Sequence, residues 1–424
     1  MDKLRSVFVR NVASTFLTMM FTLSISFVTS VIIARTLGPE KKGILSLAIL
    51  VPNMLILFLN GGINISNAFF AGARRFEIHK LFETSIFVSV VATIISSFIL
   101  ILVSKTGLFN KLLPDIPVWA IFIGLLIFPF GLLGTLLTGI LQGIERIIEL
   151  NRVQLAQATI SLVFTILLIY VFQLGLVGGL IASILTSITG VAGFTYLLRE
   201  NWNRFVPRWH KDILGASFSF GMRGYAGNIL QFFNYRLDVF IVNYFLGPAA
   251  VGVYAVTYGI AELLWNLPNA ISFVFFPRVV SDQRMKKKSS TWRIFGTTMF
   301  ITVSGGFVVA ISGKFLISFL YSETFIAAYL PLLALLPGVV LLGGAKVLTA
   351  EILGRGYPQY NSFLSGSGLA ITILGDLILV PKFNVLGAAL ASTISYIAMF
   401  LISIGFYLIV VQKENSNLDA APKV

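Results

Sequence analysis

Apolar residues run for twenty or more positions at a time from one end of the chain to the other, and only short polar connections interrupt them. Each run exceeds the roughly 18 residues that cross a hydrocarbon core as a helix, and none shows the strict alternation of a barrel strand. The pattern predicts twelve spans, near 11–36, 43–72, 82–104, 117–141, 153–173, 176–198, 213–246, 249–280, 292–320, 325–353, 359–380 and 385–411. No connection is long enough to hold a folded domain. Function is therefore expected among the helices or at the membrane faces.

The polar breaks repeat. Leu37-Gly38-Pro39 with Gly43 returns as Leu246-Gly247-Pro248 with Gly252, an offset of 209 residues. The same offset matches Val177-Gly178-Gly179-Leu180-Ile181-Ala182-Ser183 to Leu386-Gly387-Ala388-Ala389-Leu390-Ala391-Ser392. Two separated motifs sharing one register indicate a tandem duplication. Six spans per copy make the copies parallel, related by an axis along the membrane normal, with a transport cavity expected between two lobes. The fold expected is all-α and polytopic: a six-helix lobe over 1–207, a second over 208–412, and a disordered cytoplasmic tail over 413–424.

Composition fits this picture. Hydrophobic residues make up 57% of the 424 positions and charged residues 11%, against roughly 45–50% and about 25% in soluble domains. The net charge of +14 does not point to nucleic acid, because the basic residues sit in connections between apolar runs, where they orient a membrane protein. Placing the N-terminus inside puts most Lys and Arg on the cytoplasmic side. Arg35, Lys41 and Lys42 then fall at an outer turn, and both termini are cytoplasmic. A bacterial-type inner, or cytoplasmic, membrane is the expected location. The chain has no Cys, so disulfides and thiolate metal sites are excluded. His79 and His210 lie in polar loops. Neither HExxH, nor a P-loop, nor a dinucleotide turn is present, so no enzyme activity, cofactor or metal is expected.

Polar groups inside the spans carry the candidate chemistry, because a charge at a helix centre costs about 2.5–3.5 kcal/mol on insertion scales and faces a cavity or a partner. In the second span Asn53, Asn60, Asn64 and Asn67 share one helical face, as do Glu262, Asn266 and Asn269 in the eighth. The register pairs Asn53 with Glu262 and Asn60 with Asn269. Interhelical hydrogen bonding alone would account for such Asn residues. The seventh span holds Arg223, Arg236 and Asp238; Lys346 and Glu351 lie in the tenth and Asp376 in the eleventh. Their counterparts in the first copy include Ser14, Phe27, Thr29, Leu137 and Leu167, all uncharged. Ion pairs such as Arg236 with Asp238, or Glu262 with Lys346, would neutralise each other across helices. Alternatively, Arg223, Arg236 and Lys346 around a cavity suit a diphosphate. Asn53, Asn60, Asn64 and Asn269 would then meet the attached glycan, and Asp238, Glu262 or Asp376 would take a coupling ion, H+ or Na+.

Twelve spans in two copies, with Val31-Ile32-Ile33-Ala34-Arg35-Thr36-Leu37-Gly38-Pro39 and Gly43 closing the first span, resemble the Wzx-type polysaccharide flippases of the multidrug/oligosaccharidyl-lipid/polysaccharide (MOP) superfamily. That family often has an aromatic residue before the second Gly, where this chain has Lys42 and Val251. The resemblance implies a MATE-like fold, a central cationic cavity, and translocation of a polyprenyl-diphosphate-linked oligosaccharide to the outer leaflet by alternating access coupled to an ion gradient. Two other readings compete. An ion-coupled antiporter of the multidrug branch would favour acidic groups for organic cations, and a membrane glycosyltransferase or ligase would carry a large outer loop.

Overall fold

The computed structural model describes residues 2–201, 208–266, 268–269, 271–272, 288–357 and 359–419. Within these the chain is helical. The helices are α1 (Asp2–Asn60), α2 (Ile63–Gly72), α3 (Ile78–Lys105), α4 (Leu108–Leu112), α5 (Val118–Leu125), α6 (Ile127–Gly143), α7 (Ile147–Thr165), α8 (Gly175–Leu197), α9 (Lys211–Leu263), α10 (Lys288–Leu316), α11 (Tyr329–Gly354), α12 (Gln359–Phe383) and α13 (Val385–Asp419).

Ten of the described segments are long and apolar enough to cross a membrane. Two of them do so twice. Helix α1 has 59 residues and would be about 89 Å long if straight, roughly three times the hydrocarbon thickness. It turns at Gly38, whose φ of 71° and ψ of 177° leave the helical region; a left-handed φ of this kind favours glycine. The reversal is visible in side-chain contacts. Lys42 Nζ donates to Ser30 Oγ at 3.0 Å, although twelve residues of straight helix would separate their backbones by about 18 Å. Helix α9 repeats the device at Gly247 (φ 76°, ψ 179°), which brings Arg236 to Glu262 and Asp238 to Tyr254. Ten helices with two reversals give the twelve spans expected from the apolar pattern.

Several boundaries differ. Helix α13 runs to Asp419, into the stretch expected as a disordered tail. The second expected span, 43–72, breaks after Asn60, because Gly61 and Gly62 both adopt positive φ (52° and 78°) and α2 starts afresh at Ile63.

The chain separates into two compact units, residues 1–229 with 247–252, and residues 230–246 with 253–424. In the first, α1 packs on α7, α2 on α6, and α8 on both α6 and α7. Its core includes Phe70, Leu81, Phe82, Leu137, Ile140 and Leu150. In the second, α13 packs against α11 and α12, and α10 against α11. The outward side of α10 is apolar: Phe300 is 73% exposed, and Ile311 and Phe315 are also exposed. That is a face made for lipid rather than water.

Lipid tails are as apolar as Leu, so helices in a bilayer are held by close packing instead of by exclusion from water. The two turns show it most clearly. A methyl group on Gly43 would lie 1.8 Å from the Pro248 carbonyl oxygen, and one on Gly252 would lie 1.9 Å from that of Pro39. The contact is reciprocal. Adding a carbon at Gly43 must displace backbone, so Gly43→Ala is expected to lower the thermal midpoint of the purified protein, at a cost of about 1–3 kcal/mol for overpacking. Gly405→Ala, where nothing lies within 4 Å, is expected to leave the midpoint unchanged in the same melting experiment.

Candidate functional site

Charged groups of the second unit gather along the two arms of α9 that its Gly247 turn folds together. Arg236 Nη2 lies 3.4 Å from Glu262 Oε2, and its guanidinium carbon sits 4.6 Å above the Tyr258 ring. Lys346, on α11, donates to Asn269 Oδ1 at 2.8 Å and rests 4.6 Å from the centre of the Trp265 ring. Tyr235 and Tyr396 pack on Trp265 at 5.1 and 5.6 Å. The result is an aromatic wall bearing two cations and one carboxylate. Ring faces carry negative potential and hold cations without neutralising them. Arg236 and Glu262 keep 35% and 40% of their side-chain surface exposed, so this cluster is reachable. Of the two alternative pairings, Arg236 with Asp238 and Glu262 with Lys346, neither is the one formed.

Asp238 faces the other way, as a residue two positions from Arg236 on a helix must. It is fully buried and accepts hydrogen bonds from Tyr254 Oη and, at 3.5 Å, from Ser392 Oγ. One turn earlier, Asn234 Oδ1 accepts from Thr372 Oγ1 of α12 at 2.9 Å and from Ser395 Oγ of α13 at 3.4 Å. One turn after Thr372 comes Asp376, which interacts electrostatically with Asp238. Asp376 is also fully buried, and neither of its carboxyl oxygens has a hydrogen-bond partner among the described residues. Asp238 also accepts the Val239 backbone N–H at 2.8 Å, so the carboxyl left without donors is that of Asp376, and a buried carboxyl in that state is accommodated by a proton or a small cation.

The Asn residues of the first unit are differently occupied. Asn60 Nδ2 donates to Asn64 Oδ1 (2.9 Å) and Tyr225 Oη (3.0 Å), and Asn60 Oδ1 accepts the Asn64 backbone N–H at 3.1 Å. Asn67 donates to Ser85 Oγ and the Leu136 carbonyl, each at 3.1 Å. These amides stitch helices together, as interhelical Asn residues do. Asn53 is exposed, and the side chain of Arg223 lies outside the described residues. At the polar end of the first unit, a cavity of about 730 Å³ is lined by Arg74, Arg75, Lys80, Glu77 and Glu145. There the hydrogen bond from Lys80 holds the Glu77 carboxyl below its usual range.

Sequence reasoning named both acids and both cations but missed Tyr254, Ser392, Thr372 and the aromatic wall. A Tyr or Thr in an apolar run gives no sign of its partner on another helix. Lys42, expected at the outer turn, is 5% exposed, because the reversal at Gly38 folds it back against Ser30.

Residues 8–283 match the family described as polysaccharide biosynthesis protein. The chain belongs to that family. An uncharacterized membrane protein of Methanocaldococcus jannaschii is 24% identical over 392 residues, spanning 88% of this chain and 91% of its own length. Among solved structures, the lipid II flippase MurJ in an inward closed conformation shares the fold at a TM-score of 0.73 and 16% identity, over 95% of this chain and 90% of its own. An inward-facing multidrug resistance transporter of the MATE family, of the MOP superfamily, shares it at 0.67 and 16% identity, over 97% and 99%. This polysaccharide biosynthesis family member is thus a multi-pass membrane protein with the MATE-like fold, in agreement with the Wzx-type resemblance.

A buried carboxyl without a hydrogen-bond partner among the described residues, as at Asp376, is expected to cost this family member stability. Asp376→Leu, which replaces it by an apolar group of similar length, is expected to hold or raise the thermal midpoint, by up to about 1–3 kcal/mol, the penalty of a buried unsatisfied group. A lowered midpoint would mean that the carboxyl is supported in the folded protein.

Proposed function

We propose that this protein is a flippase that carries a polyprenyl-diphosphate-linked oligosaccharide from the cytoplasmic to the outer leaflet. The observation that carries the proposal is the excess of cations over acid on the aromatic wall, Arg236 and Lys346 against Glu262. A diphosphate brings the missing negative charge, and the planar fork of Arg236 can take two of its oxygens. The tyrosines and Trp265 offer flat apolar surface for sugar rings. Glu262 tethers Arg236 until substrate displaces it, and Asn269 does the same for Lys346. Membership of a polysaccharide biosynthesis family supports the same substrate class. An antiporter for organic cations would need acid in excess at this wall.

Asp238 and Asp376 are the coupling pair in this reading. Each transport cycle loads them with H+ or Na+ on one side of the membrane and releases it on the other. The basic loops support cytoplasmic termini in a cytoplasmic membrane.

The test is delivery of lipid-linked oligosaccharide to the outer leaflet of proteoliposomes. Arg236→Ala is expected to cut the rate about tenfold or more, the worth of a charged hydrogen bond of 1.5–3 kcal/mol, with partial recovery in Arg236→Lys. Normal delivery by the Ala variant would remove Arg236 from the site. Asp376→Asn is expected to abolish the response to an imposed ion gradient while leaving lipid binding intact. Active uptake of a cationic dye with no lipid movement would overturn the proposal in favour of the antiporter.

A further inference from the structure

Lys42 lies in a cavity that the proposed function does not use. The cavity has a volume of about 430 Å³, is half open, and is lined by both arms of α1 together with α7 and α8, all in the first unit. Six hydroxyl side chains line it: Ser26, Thr29, Ser30, Ser46, Ser161 and Ser183. Lys42 is nine-tenths buried and more, and it forms no ion pair among the described residues. Its amine reaches Ser30 Oγ at 3.0 Å and the Ser30 carbonyl at 3.4 Å. An ammonium has three donors, so one is left for the cavity.

The hydroxyls are not equivalent. Thr29 and Ser183 donate their protons to the carbonyls of Ile25 and Gly179, at 2.8 and 2.9 Å, and so turn lone pairs outward as acceptors. Ser26, Ser46 and Ser161 make no hydrogen bond among the described residues and can donate or accept. A lone cation in a bilayer-embedded unit, ringed by groups of both kinds, asks for a ligand with one negative charge and several hydroxyls. At about 30 Å³ per water the cavity equals about fourteen waters, far more than a halide fills. One ammonium without an arginine fork does not balance a phosphate dianion.

We propose that this cavity binds a carboxylate borne on a polyhydroxylated ring, a sugar acid, with Lys42 as its counter-ion. The chemistry is shared by a free hexuronate and by a uronic residue ending an oligosaccharide. The proposal is independent of the flippase reading, because it is read from binding and not from transport.

The full-length protein in nanodiscs, melted at constant ionic strength against increasing glucuronate, tests it. Glucuronate and a disaccharide ending in glucuronate are compared, and the stronger of the two identifies the source. Either is expected to raise the midpoint where glucose, acetate and chloride do not, and Lys42→Met is expected to weaken the effect about tenfold, the loss of one charged contact. Equal stabilisation by chloride or acetate would overturn the sugar part of the proposal. No stabilisation by either glucuronate ligand, or an undiminished effect in Lys42→Met, would overturn the whole. Should Lys42→Met not be recovered folded, Ser161→Val, which puts an apolar group in the lining contributed by α7, must show the same weakening.

Discussion

In a hydrocarbon environment every backbone N–H and C=O must find its partner inside its own segment, and the architecture follows from that requirement. Helices meet it alone, which is why the described residues are so largely helical. Reversals are the difficult places. At Gly38 and Gly247 a single residue leaves the helical region, so the chain turns within a very short break. Two turns of this kind give two long helices four passes, and they carry their flanking side chains into one another's reach.

The same setting rations polar side chains, and the protein uses them in three ways. Asn60 and Asn67 are saturated by neighbours and act as fasteners. Arg236 and Lys346 lean on aromatic rings, partly open and partly balanced by Glu262. Asp376 has no hydrogen-bond donor among the described residues. The gradient from fastener to unsupported acid tracks the capacity for exchange: saturated groups cannot take a ligand without losing a bond, whereas unsupported ones gain by it.

The spans, the reversals and the second copy were legible in the sequence, because apolar length and glycine-proline spacing are local signals. The identities of the interior charges were legible for the same reason: Arg236, Asp238, Lys346 and Asp376 stand out against apolar neighbours. Pairing was not. Spacing alone separates Arg236 from Asp238, but that Arg236 meets Glu262 depends on the rotation of one arm of α9 against the other, and rotation leaves no mark in a run that is apolar all round. Lys42 was misread on the same ground. Four residues past Gly38, it passes for a loop residue unless the chain is known to resume its helix at once.

The reciprocal contact of Gly43 with Pro248 and of Gly252 with Pro39 bears on the history of the chain. In a half-length ancestor associating with its own copy, one glycine would serve both sides of that contact, and any change there would be felt twice. Joining the halves in one gene frees each position to change alone. The glycines have stayed matched, while the residue just before each has diverged into Lys42 and Val251. Asp238 and Asp376 stand opposite Thr29 and Leu167 in the same register. Neither acid has an acidic counterpart in the first copy, an asymmetry that a pair of identical subunits cannot have.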